Sequence, residues 1–222
     1  MNSRDVRAVL FDLDGTLVDS APDLAGAANQ MRSIRGLADL PYAQLRPMVG
    51  TGARGMLGVA LGVTPAAPDY EALKHEFLDL YERRMLRETR VFESVMNLLE
   101  ALQGRALPWA IVTNKAERFA LPLTQALGLQ RGAAAVIGGD TTPHAKPHPA
   151  PLLEAARRAG VAAEHCIYVG DDERDILAGR AAGMRTVAAA WGYLGQGAPI
   201  HEWGADLTIE SPQALLHWLS VA

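Results

Sequence analysis

Two aspartates separated by one residue follow a four-residue apolar run, and this junction constrains the fold more than any other feature of the chain. The run Ala8-Val9-Leu10-Phe11 leads directly into Asp12-Leu13-Asp14-Gly15-Thr16. So short an apolar run, bounded by polar residues, predicts a strand buried on both faces and hence a parallel sheet covered by helices. Side chains alternate along an extended chain, so Asp12 and Asp14 are expected on one side and Leu13 on the other. Carboxylates crowded at the end of a buried strand repel each other. A cation, a shared proton or a substrate must offset that repulsion. Gly15 then permits a turn whose backbone N–H groups can face an anion. Asp and Gly also form ordinary turns, so the junction needs support from elsewhere in the chain.

Four further apolar runs supply it, at residues 109–112, 134–137, 167–169 and 186–190, with helical patterns between them at 116–127, 151–159 and 174–182. Strands alternating with helices predict a doubly wound α/β fold, in which ligands bind beyond the carboxyl ends of the strands. The residues after the runs are Asp12 and Asp14, Thr113-Asn114-Lys115, Asp140, Gly170-Asp171-Asp172, and Trp191-Gly192-Tyr193. Residues distant in sequence are therefore expected along one edge of the sheet. Residues 138–151 carry four prolines and cannot be helix or central strand throughout, and Lys146 sits in the middle of this stiff loop. A lysine held there suits an anion.

The interval between the first two runs is too long for a simple crossover. Residues 17–91 read as an inserted helical cap, with helices near 23–35, 53–61 and 69–88 and hinges at 17–22 and 90–93. Residues 1–16 and 92–222 then form the core, closed by a helix at 212–219. The formal net charge of −4 argues against a general nucleic-acid partner. One cysteine, Cys166, lies inside an apolar run, which excludes a disulfide framework and favours inert packing in a reducing, cytoplasmic setting. No run approaches membrane-spanning length, so no membrane partner is expected, and oligomeric state is not legible.

Together these features resemble the haloacid dehalogenase superfamily of phosphotransferases at all four of its short motifs. Asp12-Leu13-Asp14-Gly15-Thr16 is similar to the first, Thr113-Asn114 to the second, Lys146-Pro147 to the third, and Gly170-Asp171-Asp172 with Asp175 to the fourth. Asp19-Ser20-Ala21-Pro22-Asp23-Leu24 and Val49-Gly50-Thr51-Gly52 look like the phosphoglycolate phosphatase branch. The resemblance implies Mg²⁺-dependent hydrolysis of a small phosphorylated metabolite through an aspartyl phosphate. It implies Asp12 as nucleophile and Asp14 as general acid. It implies Asp12, Asp171 and the Asp14 main-chain carbonyl as metal ligands, and Thr113, Asn114 and Lys146 as the phosphate site. Asp172 and Asp175 are expected behind the metal ligands, Asp175 also in the first turn of the helix that follows. On the cap, Arg54 is expected to offer a cation to the substrate.

Other readings compete. Gly50-Thr51-Gly52-Ala53-Arg54-Gly55 matches G-x-G-x-x-G, a dinucleotide fingerprint that requires a preceding strand, yet Pro47 interrupts the approach. A phosphorelay receiver combines similar residue types but does not place its acidic pair around one residue after the first strand. A sugar-phosphate mutase on this scaffold would carry a cap histidine shortly after the first motif, and residues 19–29 contain none. Hydrolysis is favoured, of 2-phosphoglycolate before an amino-sugar 6-phosphate such as N-acetylmuramic acid 6-phosphate.

Overall fold

Every residue of the first strand, β1 (Ala8–Phe11), is buried, and the strand lies inside a parallel sheet. The computed structural model describes residues 5–220, so positions 1–4 and 221–222 of the expected core segments lie outside the described residues. The remaining strands of this sheet are β4 (Trp109–Val112), β5 (Val136–Ile137), β6 (Cys166–Gly170), β7 (Arg185–Ala189) and β8 (Leu207–Ile209), in the order β5-β4-β1-β6-β7-β8. Leu10 stands opposite Ala110 on one side and Tyr168 on the other. This register brings the ends of β1, β4 and β6 level with one another.

The alternation of β1 accounts for the helices on both faces. Val9 and Phe11 pack with Ile111, Ile167 and Val169 against α5 (Val95–Gly104), α6 (Glu117–Ala126) and α9 (Pro212–Ser220). Ala8 and Leu10 pack with Val112 and Tyr168 against α7 (Ala150–Ala159) and α8 (Glu173–Ala181). Each fully buried Leu or Phe contributes roughly 1.5–3 kcal/mol. Both faces of a four-residue strand therefore hold it in place. Cys166 belongs to this packing: burial pushes its thiol up to about 11, which keeps it protonated and inert.

The insertion is a helical block: α1 (Ala21–Ile34), α2 (Tyr42–Leu45), a 3₁₀ turn (Arg46–Thr51), α3 (Gly52–Leu61) and α4 (Tyr70–Glu82). It has an apolar core of its own, including Met31, Leu45, Met56, Leu57 and Phe77, and leans on Phe119 and Tyr193 of the sheet half. Its two connections to the sheet half pair as a short antiparallel ribbon, β2 (Val18–Asp19) with β3 (Arg90–Val91), where the sequence suggests only hinges. The last of these helices, α4, ends at Glu82, short of the expected 88. Asp23 accepts hydrogen bonds from the N–H groups of Glu88 and Thr89 and from the Thr89 hydroxyl, which draws the chain off into the ribbon. A 3₁₀ turn, and no strand, precedes Gly52, so the G-x-G-x-x-G match lacks the context that dinucleotide binding requires. Among the described residues, no helix is long and apolar enough to cross a membrane.

Candidate active site

At the carboxyl edge of the sheet, Asp12 follows β1, Asp171 follows β6, and Asp175 lies in the first turn of α8. One carboxylate oxygen from each lies within 4.8 Å of the others, and all three residues are buried. Lys146 reaches into this group from the proline-rich loop. Its ammonium lies 2.8 Å from Asp12 Oδ1 and 2.8 Å from Asp175 Oδ1, and donates to the Tyr168 hydroxyl at 2.8 Å and the Val112 carbonyl at 3.1 Å. The loop is held by Asn114, whose amide bonds both the N–H and the carbonyl of Lys146. Asn114, expected at the phosphate, is thus oriented to fix the loop that carries the lysine. Thr113 is buried beside them, its hydroxyl oxygen accepting the Lys115 N–H.

Asp171 is fixed by the Thr16 hydroxyl at 2.9 Å and the Tyr193 N–H at 2.8 Å. Its room comes from glycine: a Cβ at Gly15, where φ is +90°, would lie 2.1 Å from Asp171 Oδ2, and one at Gly192 would lie 2.2 Å from Asp171 Cβ. Asp172 points elsewhere. It is the N-cap of α8 and forms a capping box with Asp175, while Arg174 donates back to it. Asp175 therefore does more than stand behind the others: it joins the acidic group, pairs with Lys146 and closes the helix cap.

Asp14 is held apart from these three. Its carboxylate accepts the Ser20 hydroxyl at 2.5 Å and pairs with Lys115 Nζ at 3.0 Å. Lys115 in turn sits 4.7 Å above the ring of Tyr81 from α4. No sequence motif singled out Tyr81. Lys115 was marked only by its place just after a strand.

These groups line a cavity of about 430 Å³ between the sheet edge and the helical block. The 49–53 segment, Lys74, Phe77 and Tyr81 form its roof. Arg54 does not line it. Ala53, Met56, Leu57 and Ala60 form the inward stripe of α3 at helical spacing, and Arg54 falls off that stripe into solvent. The expected cap cation is thus misplaced by helix geometry. Two cross-links join roof and floor: Arg174 donates to the Gly50 carbonyl, and Arg46 donates to the Gly192 carbonyl at 3.3 Å while lying 4.9 Å from the Tyr193 ring centroid. The Tyr193 hydroxyl accepts the N–H groups of Ser20 and Ala21, beside the ribbon.

The electrostatics identify what the floor lacks. Burial pushes the Asp12 carboxyl up to about 7 against the pull of Lys146, with Asp175 adding repulsion. Burial, Asp12 and Asp175 likewise raise Asp171 well above the usual carboxylate range. Burial would depress the Lys146 ammonium, but Asp12 and Asp175 outweigh it and raise it. One lysine does not balance three buried carboxylates. A close set of oxygen donors with a deficit of positive charge fits a hard divalent cation.

Comparison with known proteins agrees with this geometry. The family model described as haloacid dehalogenase-like hydrolase matches residues 9–189. The phosphoglycolate phosphatase of Xanthomonas campestris pv. campestris is 53% identical over 210 residues, which cover 94% of both chains. The N-acetylmuramic acid 6-phosphate phosphatase of Pseudomonas aeruginosa is 38% identical over 223 residues, covering 100% of this chain and 98% of that protein. The crystal structure of a predicted phosphoglycolate phosphatase from Haemophilus somnus 129PT superposes with a TM-score of 0.85 at 27% identity, covering 97% of this chain and 99% of that one. A sheet edge with these four elements in this order, matched by the model over most of its length, places the chain in the haloacid dehalogenase-like hydrolase family.

Proposed function

We propose that this chain is an Mg²⁺-dependent phosphoric monoester hydrolase acting on a small phosphorylated metabolite, with 2-phosphoglycolate the leading substrate. The observation that carries the reading is the convergence of Asp12, Lys146, Asp171 and Asp175 on one buried point at the end of β1. Asp12 is the nucleophile and attacks as the carboxylate, the form that the Lys146 ammonium beside it favours. It attacks phosphorus, the ester P–O bond breaks, and Asp14, entering this step in its protonated form, delivers that proton to the departing alkoxide. Asp14, then a carboxylate, takes a proton from water, which attacks phosphorus and releases phosphate from Asp12. Thr113 and Lys146 hold phosphoryl oxygens as their charge redistributes. A divalent cation held by Asp12 and Asp171, with Asp175 and the Asp14 carbonyl beside it, would supply the positive charge that lets two anions meet. Residues 17–91 act as a cap that excludes water, moving on the β2–β3 ribbon.

The name borne by the Xanthomonas relative supports 2-phosphoglycolate. A cavity of about 430 Å³ with Leu24, Phe77 and Leu78 in its wall favours a second reading, a bulkier amino-sugar 6-phosphate. The single, buried cysteine suits a reducing cytoplasm. A phosphate-release panel decides the matter, run with Mg²⁺, with chelator, and with Asp12→Asn. Turnover is expected only with metal, with 2-phosphoglycolate ahead of N-acetylmuramic acid 6-phosphate. Asp12→Asn should lower it by about 10⁴-fold or more. Turnover that persists in chelator, or in the Asp12 variant, would overturn the mechanism.

A further inference from the structure

The two buried lysines of the cavity have no partner in common. Lys146 pairs with Asp12 and Asp175, on the side where phosphorus is attacked. Lys115 pairs with Asp14, the residue that meets the ester oxygen, and its side chain is only 7% exposed. An ammonium has three N–H donors. Among the described residues, Lys115 makes this one ion pair and leans on Tyr81, so a donor remains for a ligand in the cavity that it lines. Beside it stands a second group in want of a partner. Among the described residues, the buried Tyr81 hydroxyl has no hydrogen-bond partner within 3.5 Å, Lys115 being the polar group drawn towards it, whereas most buried polar side chains have one. A cation and a hydroxyl thus meet beside Asp14 in the wall of the cavity.

We infer that Lys115 and Tyr81 form the receptor for an acidic group on the leaving alcohol, so that the enzyme selects phosphate monoesters bearing a carboxylate next to the ester carbon. This rests on the phosphatase reading above and assigns its specificity to two residues that carry no motif. Lys115 serves both partners. It steadies Asp14 when the cavity holds no acid, and turns its remaining donor to the substrate carboxylate when one enters. A neutral alcohol of the same length leaves the buried ammonium without its second anion and is discriminated against.

The test compares 2-phosphoglycolate with 2-hydroxyethyl phosphate, which has the same length and no carboxylate. Both are assayed with Mg²⁺ on the full-length wild type, Lys115→Met and Tyr81→Phe. The wild type is expected to favour the acid by about tenfold or more in kcat/KM. Lys115→Met should slow both esters, because Asp14 loses its partner, and should shrink the preference to within about threefold. Tyr81→Phe should reduce the preference by about threefold through KM. A wild type that does not discriminate overturns the inference whether or not the variants fold. So does a Lys115 variant that slows both esters equally and keeps the preference. Release from neither ester overturns the substrate class, and p-nitrophenyl phosphate then judges the phosphatase reading separately.

Discussion

The floor of the cavity is laid by residues that end strands, its roof by residues spread over helices and a 3₁₀ turn, and the two tolerate very different amounts of change. On the floor, a single carbon added at Gly15 would collide with Asp171, while one added at Gly58 of α3, in the helical block above, would meet nothing closer than the Val63 carbonyl at 3.9 Å. The floor holds buried charged side chains set by parallel strands of common register. The roof holds mostly apolar side chains plus the peripheral cation Lys74. Chemistry common to many esters needs the first arrangement. Choice among esters can draw on both, Lys115 meeting Tyr81 from below, because the roof can change without dismantling the reaction centre.

This contrast can be broken at several places. Lys146→Met should have the largest effect, lowering kcat by roughly 10²–10³-fold, since it removes a preorganised cation from the attacking carboxylate. Steady-state kinetics at saturating Mg²⁺ would show it, and a loss confined to KM would contradict the role. Next comes the charge deficit itself. A carboxyl raised by folding contributes stability that is complete below its unfolded value of 3.8 and is lost as pH climbs through about 7, as for Asp12. Chelated protein should therefore melt roughly 3–8 °C lower at pH 8 than at pH 5. Added Mg²⁺ should restore more stability at pH 8 than at pH 5, and a flat metal-free profile would show that the floor has no such deficit.

Tyr193→Phe tests the seam between floor and roof. It strips the hydrogen-bond acceptor from the Ser20 and Ala21 N–H groups and should cost about 1–3 kcal/mol, read as a lowered denaturation midpoint. Arg54→Ala should do least, staying within about twofold of wild type in kcat/KM, as an exposed residue outside the cavity. A tenfold loss there would mean that the roof reaches the substrate in another way.

The same contrast explains what the sequence discloses. The floor was legible because its residues stand just after apolar runs. Alternation along β1 placed Asp12 and Asp14 over the cavity and left Leu13 buried on the opposite side. Other elements left weaker marks. β8 is three residues between Asp206 and Glu210, too short to show a pattern. The ribbon is two residues per strand, and its pairing depends on Asp23, more than sixty residues away from its Thr89 partner. The roof was read least well. Arg54 and Ala53 are neighbours in sequence but differ by a hundred degrees around α3, and only the packing of the block decides which faces inward. Tyr81 reads as one more apolar position on α4 until Lys115, from a distant strand, is seen beneath it. Asp175 was expected behind the metal ligands and in the first turn of the helix that follows, where capping alone would also account for it. It does stand in the first turn of α8, and from there its carboxylate also reaches the ion group.

That turn ties two events together. Asp175 stops the helix from fraying and at the same moment delivers the second carboxylate, beside Asp12, to Lys146. A molecule in which the start of α8 is unwound has no assembled reaction centre, even with every strand in place. Amide hydrogen exchange at Asp172, whose N–H is covered by Asp175, thus serves as a local gauge of catalytic readiness, measurable without any substrate present.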